Sequence, residues 1–165
     1  MLLMMAGMAL GMAAGIIAGQ NLGAKQPDQA EKSIWLAVGI VQLIMLCGSF
    51  ILYFGAHDIV RIFSPDPALL TIATNYLRIL TVGFAIIGLN MVVMQSLTGV
   101  GDTVPPMALN LLMMWVVQIP LAYYLPTITK LGVYAIPWAA VTSMYLGTIC
   151  FFIYFRTGRW KTKIV

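Results

Sequence analysis

The sequence predicts an all-α integral membrane protein with five transmembrane helices, and three observations carry that prediction. Hydrophobic residues make up 61% of the chain and charged residues 8%, with a mean hydropathy of +0.95. A soluble chain carries about 25% charged residues and cannot hide this much apolar surface in one core. The nine Lys/Arg and five Asp/Glu residues fall between long apolar runs or at their margins. An ionised side chain at the centre of a spanning helix costs roughly 2.5–3.5 kcal/mol, so runs kept clear of charge have lipid for a solvent. Third, five runs reach the ~20 residues that cross about 30 Å of hydrocarbon. They cover 1–19, 33–54, 76–98, 106–125 and 133–155 of a single helical domain, followed by a basic cytoplasmic tail, 156–165.

The first run is apolar from its start, but it lacks the basic flank of a cleaved leader, so no cleavage is expected. Gly7, Gly11, Gly15, Gly19 and Gly23 recur at four-residue intervals. On a helix they form a seam along one face where a neighbour approaches closely, gaining contacts where no hydrophobic effect drives association. Gly7, Gly11, Gly15 and Gly19 are therefore expected to pack a helix, within or beyond this chain. The second run, 33–54, follows a turn at 23–28 that carries Gly23, Lys25, Pro27 and Asp28.

Residues 55–75 are only half polar. They are expected to form a structured external connection, with short amphipathic pieces along the interface and the second continuing into the third run. Ser64 and Asp66 suit helix caps, and Pro67 a first helical position. His57, Asp58 and Arg61 read as a solvated corner. The fourth run contains Pro120, which lacks a backbone donor and clashes with the carbonyl of Val116, so a kink or break is expected there. Pro137, early in the fifth run, is expected to be harmless.

Lys25, Lys32, Arg156, Arg159, Lys161 and Lys163 lie on one side of the bilayer, against Arg61, Arg78 and Lys130 on the other. This excess places the first side and the C-terminus in the cytoplasm. An uncharged external start then suggests that helices preceding Met1 are missing. Cys47 and Cys150 lie in apolar runs without metal-ligand spacing and are expected to pack rather than pair. No basic stripe with interleaved aromatics exists, so nucleic acid is not an expected partner.

Neutral polar residues inside the runs should face protein or a water-filled cavity. Asn90, Gln95, Asn110 and Gln118 cluster in adjacent runs three and four and are the candidates for a substrate cavity. The twelve Met residues give soft, adaptable surface, though ordinary packing is the simpler reading. No span holds an acid or a His, so neither an enzyme nor a metal site is expected.

Several segments, in order, resemble the multidrug and toxic compound extrusion (MATE) family: residues 18–30 (AGQNLGAKQPDQA), 62–67 (IFSPDP) with 75–79 (NYLRI), 99–103 (GVGDT), 115–123 (WVVQIPLAY) and 159–161 (RWK). The resemblance implies a twelve-helix, two-lobe transporter that exports amphipathic or cationic compounds in exchange for H⁺ or Na⁺, by antiport. This chain resembles helices eight to twelve, a fragment of the C-terminal lobe that lacks the N-terminal lobe or a complementary half. Some members bind the coupling cation through acids in the seventh and tenth helices, or through an aspartate in the first. Here Ile87 stands at the tenth-helix position. The coupling-ion site is therefore expected outside this chain, which needs no other cofactor, and substitution of Asp102 is expected to leave coupling intact. Efflux across a bacterial inner (plasma) membrane, with Pro120 as a hinge, is the leading reading. The alternative is a structural or assembly subunit of a helix bundle with no transport activity of its own.

Overall fold

The computed structural model describes residues 2–63 and 66–162, so Met1, Ser64 and Lys163, invoked above, lie outside them. All described secondary structure is helical, and five segments have the length and hydropathy to cross a membrane. Helix α1 (Leu2–Gly23) is followed by α2 (Pro27–Phe63) and α3 (Pro67–Gly99). The fourth span is composite: α4 (Val104–Leu111), a π-helical stretch (Leu112–Gln118) and α5 (Ile119–Ile128). A 3₁₀ turn (Gly132–Tyr134) leads into α6 (Ala135–Arg156), and a second (Arg159–Thr162) follows it.

Chain reversals are made by backbone geometry at helix ends. After α1, the Lys25 amide donates to the Leu22 carbonyl and the Gln26 amide to that of Asn21. This is the Schellman pattern, and it holds Lys25 at φ 59° in the left-handed region where glycine usually sits. After α3 the same pattern recurs at Gly101 (φ 80°), with the Asp102 amide on the Leu97 carbonyl. Asp66 caps α3 by accepting from the Ala68 amide, with Pro67 in the first turn as expected.

Of the expected connection across 55–75, the second piece does continue into the third span, as the start of α3, but the first is not separate, since α2 runs unbroken to Phe63. At about 1.5 Å per residue its 37 residues extend about 55 Å, well past the hydrocarbon. Helices α2 and α3 support each other there. The Arg78 Nε donates to the Tyr53 carbonyl at 3.4 Å, and its guanidinium stands 5.6 Å from the Tyr53 ring centre. His57, Asp58 and Arg61 are exposed at this end.

The central element is α3, which packs against α1, α2 and α6. A glycine marks each of these contacts. A Cβ on Gly99 would lie 2.7 Å from the Gly15 Cα, so the α1 and α3 backbones touch. One on Gly83 would lie 2.7 Å from the Met144 Sδ of α6. One on Gly88 would lie 2.9 Å from the Gln42 Oε1 of α2. Through that gap the Gln42 amide reaches the α3 ladder itself, donating to the Ala85 carbonyl and accepting from the Leu89 amide at 3.3 Å. These two backbone groups are ordinary i, i+4 partners, so Gln42 bridges one rung of the helix.

At the other end, the expected tail is largely folded back. Trp160 is fully buried, stacks on Phe155 at 5.0 Å and donates to the Phe155 carbonyl at 3.1 Å. Lys161 reaches back to Glu31 at 2.5 Å, and the Asp28 carboxylate lies 3.7 Å away. The Glu31 hydrogen bond holds the Lys161 ammonium above the usual lysine range. Both thiols are free; Cys47 is exposed, so it does not pack within this chain as expected.

Two substitutions separate glycines that carry contact from one that does not. Gly15→Ala places a methyl 2.9 Å from the Gln95 carbonyl oxygen and should destabilise the bundle by about 1–3 kcal/mol. Gly39→Ala meets nothing within 4 Å and should stabilise α2 by about 0.5–1 kcal/mol. Denaturant unfolding in detergent measures both. Equal effects would show that the α1–α3 contact is not tight.

Candidate functional site

Side chains from α3, the fourth span and α6 converge on a cleft of about 290 Å³. Asn90, Asn110 and Gln118 line it together, so three of the four expected amides share one site. Gln95 does not. It lies five residues from Asn90, roughly 140° further round the helix, and its side chain faces α1. There a Cβ on Gly11 would be 3.2 Å from the Gln95 Cβ.

Met91, Met94, Met113, Met114 and Met144 fill the intervals between the amides, with Ser143, Gly147 and Phe151 on α6. Ser143, Gly147 and Phe151 are spaced by four residues and so form one stripe of α6. A Cβ on Gly147 would stand 3.5 Å from the Asn90 Nδ2, leaving room for that amide beside α6. The Ser143 hydroxyl donates to the Met113 carbonyl at 3.1 Å, tying α6 to the π-helical stretch. A second cleft of about 320 Å³ adjoins the first, shares Met94, Asn110 and Met114 with it, and runs toward Thr98, Thr103 and Pro106 at the α3–α4 turn. Asn110 therefore stands where the two meet, its Nδ2 3.9 Å from the Met94 sulfur.

The fourth span explains how these groups reach the cleft. At Pro120, where a kink or break is expected, the α-helix is interrupted: the backbone widens just before the proline, and the Ile119 amide donates to the Met114 carbonyl, five residues back. Proline offers no amide and its ring collides with the carbonyl four residues earlier. A π turn lets the helix continue past this obstacle, and π turns are frequent at functional sites. Met113, Met114 and Gln118 all belong to the widened stretch.

Among the described residues, none that lines either cleft is ionisable. Asp102 is buried at the α3–α4 turn and accepts the Tyr154 hydroxyl at 2.5 Å. A larger cleft of about 650 Å³ lies at the start of α2 beside Asp28, Glu31, Lys32 and Trp35. It sits at the end of the bundle, away from the converging amides, and Lys161 already holds Glu31. Among the described residues no group of three or more His, Cys, Asp or Glu is placed to hold a metal ion.

If Pro120 sets the widened turn, Pro120→Ala should restore a continuous α ladder. Amide exchange across 112–118 should then slow by about tenfold, a change of about 1.4 kcal/mol in local opening. Unchanged exchange would assign the turn to packing against α6 instead.

Comparison with known proteins agrees with this architecture. A family model described as MatE matches residues 1–124. The probable multidrug resistance protein YoeA of Bacillus subtilis (strain 168) is 23% identical over 159 residues, 96% of this chain and 34% of that protein. A probable multidrug resistance protein NorM of Bacillus cereus is 30% identical over 140 residues, 84% of this chain and 29% of its own length. An FAD transporter of Shewanella oneidensis is 24% identical over 137 residues, 81% of this chain and 29% of that protein. The chain thus spans about a third of the length of the curated relatives it matches. With five membrane-length helices in one bundle and a family model covering three-quarters of its residues, the chain belongs to the MatE family.

Proposed function

We propose that this chain supplies one wall of the substrate cavity in a multidrug efflux transporter, which moves amphipathic or cationic organic compounds out of the cell in exchange for H⁺ or Na⁺. The observation that carries the reading is the cleft of Asn90, Asn110, Gln118 and Ser143 among methionines. Asn90, Gln118 and Ser143 stand near mid-length of the apolar stretches of three spans, where transporter sites lie at the bilayer midplane. Buried amides are costly in lipid, so amides gathered on one cleft are best accounted for by a cargo that uses them. Methionine side chains adapt to different shapes, which suits many cargoes rather than one.

Transport by alternating access requires two arrangements of the bundle, and ion binding selects between them. The widened turn before Pro120 is the element we assign to that rearrangement, because π turns are frequent at functional sites. The cleft wall here has no acid, so the coupling ion is held by residues beyond this chain. Asp102, engaged by Tyr154, serves the α3–α4 turn. The C-terminus faces the cytoplasm of a bacterial inner membrane in this reading. Much of the glycine seam is taken up within this chain, Gly11, Gly15 and Gly19 meeting α3 and Gly7 meeting both α2 and α3.

Everted membrane vesicles carrying the native gene product test the proposal. They should accumulate an aromatic dye cation when an H⁺ or Na⁺ gradient is imposed and lose it when the gradient is collapsed. Asn90→Leu combined with Gln118→Leu should cut uptake by about tenfold at unchanged protein level, the loss of about 1.4 kcal/mol expected from removed amide contacts. Asp102→Asn should keep the gradient dependence. Gradient-independent accumulation, or an Asp102→Asn protein that is uncoupled, would contradict the reading.

A further inference from the structure

We infer that the start of α2 binds a phospholipid headgroup whose primary ammonium lies outside its phosphodiester, as in phosphatidylethanolamine. The inference rests on the membrane-spanning helices and not on the cleft of amides.

The site is the cleft of about 650 Å³ at the end of the bundle. Asp28, Lys32 and Leu36 line it at four-residue intervals with Glu31 and Trp35 beside them, so these residues form one stripe of α2. Successive members stand about 6 Å apart along the axis. Helix α2 enters the membrane from Pro27, and its apolar run begins at Ser33. From the water inward the stripe therefore reads carboxylate, ammonium, indole and aliphatic. A phosphatidylethanolamine presents the complementary order: ammonium outermost, phosphate a two-carbon bridge deeper, then glycerol and acyl chains.

The charges are available. Glu31 is taken by Lys161 at 2.5 Å, and those two cancel. Asp28 lies 3.7 Å from the same ammonium, and its side chain is 89% exposed. Lys32 is exposed and enters no ion pair among the described residues. One anion outside one cation is left for a ligand. An anionic headgroup without an ammonium satisfies Lys32 but faces Asp28. A quaternary ammonium has the right charge but no N–H to give the carboxylate.

Trp35 forms the inner edge. Phe155 at 5.6 Å and Phe152 at 6.0 Å meet its ring edge-on, and its Nε1 donates to Glu31 at 3.3 Å. A tryptophan at this depth marks the headgroup level of a bilayer. Helical side chains lean toward the helix N-terminus, which carries Lys32 and Trp35 toward the water beside Asp28. Leu36, exposed just below, borders the acyl region.

Native mass spectrometry of the native gene product, released from detergent, tests the site. The probes are dioleoyl phosphatidylethanolamine, its N-methyl and N,N-dimethyl derivatives, phosphatidylcholine and phosphatidylglycerol, titrated separately. The first ethanolamine lipid should bind about fivefold more tightly than the choline or glycerol lipid, the upper end for one exposed ion pair. Affinity should fall with each added methyl. Asp28→Asn should make the ethanolamine and glycerol lipids equal, and Lys32→Gln should weaken both several-fold. Asp58→Asn, at the opposite end of α2, should leave the preference unchanged. Equal binding across the unaltered series overturns the inference, and it is the result expected if protein beyond this chain fills the cleft. A preference that survives Asp28→Asn, undiminished binding in Lys32→Gln, or a preference lost equally in Asp58→Asn overturns it as well.

Discussion

Helix α3 can hold three neighbours only because it lacks side chains where they cross it. In lipid, apolar side chains gain little from leaving their solvent, so helices associate through dispersion contact and hydrogen bonds at short range. Gly99 lets the α1 backbone in, Gly88 admits the Gln42 amide from α2, and Gly83 receives Met144 from α6. The remaining architecture follows from that arrangement. With α1, α2 and α6 drawn against it, α3 turns Asn90 and Met94 toward the fourth span.

The fourth span is the counterpart of this tight cluster. None of the residues in its most apolar window is buried in the chain, whereas about a third of those in α1 and α2 are. Its packing comes mainly from α6, helped by the Ser143 hydroxyl on the Met113 carbonyl. Among the five spans it is the one least buried within this chain, and it carries a widened turn at its centre. Low local packing is where conformational change is drawn from, and it coincides here with the wall of the cleft.

Much of this was legible in the residues, and the failures have physical causes. The five spans follow from hydropathy because lipid penalises charge strongly and position by position. Span ends were less legible. Residues 55–75 read as a connection because they mix polar and apolar groups, yet each helix satisfies its own backbone beyond the hydrocarbon as well as within it. The glycine interval announced close packing, but its partner, Gly99, belongs to another segment and shows no periodicity of its own. Asn90, Asn110 and Gln118 stood out because polar groups in apolar runs are few, and one cleft brings the three together. Gln95 faces α1 instead, because membership of one helix does not imply a shared face, and its five-residue offset from Asn90 carries that difference. Trp160 looked like part of a basic tail because its neighbours are charged, and only its stacking on Phe155 reveals a core residue.

The most direct measurement is the separation of the α1 and α3 axes where Gly15 meets Gly99, taken from an experimental structure of the native gene product in a lipid nanodisc. Backbone contact predicts a separation below the ~8–10 Å typical of packed helices. A separation within that range, with side chains or lipid between the two glycines, would contradict the account.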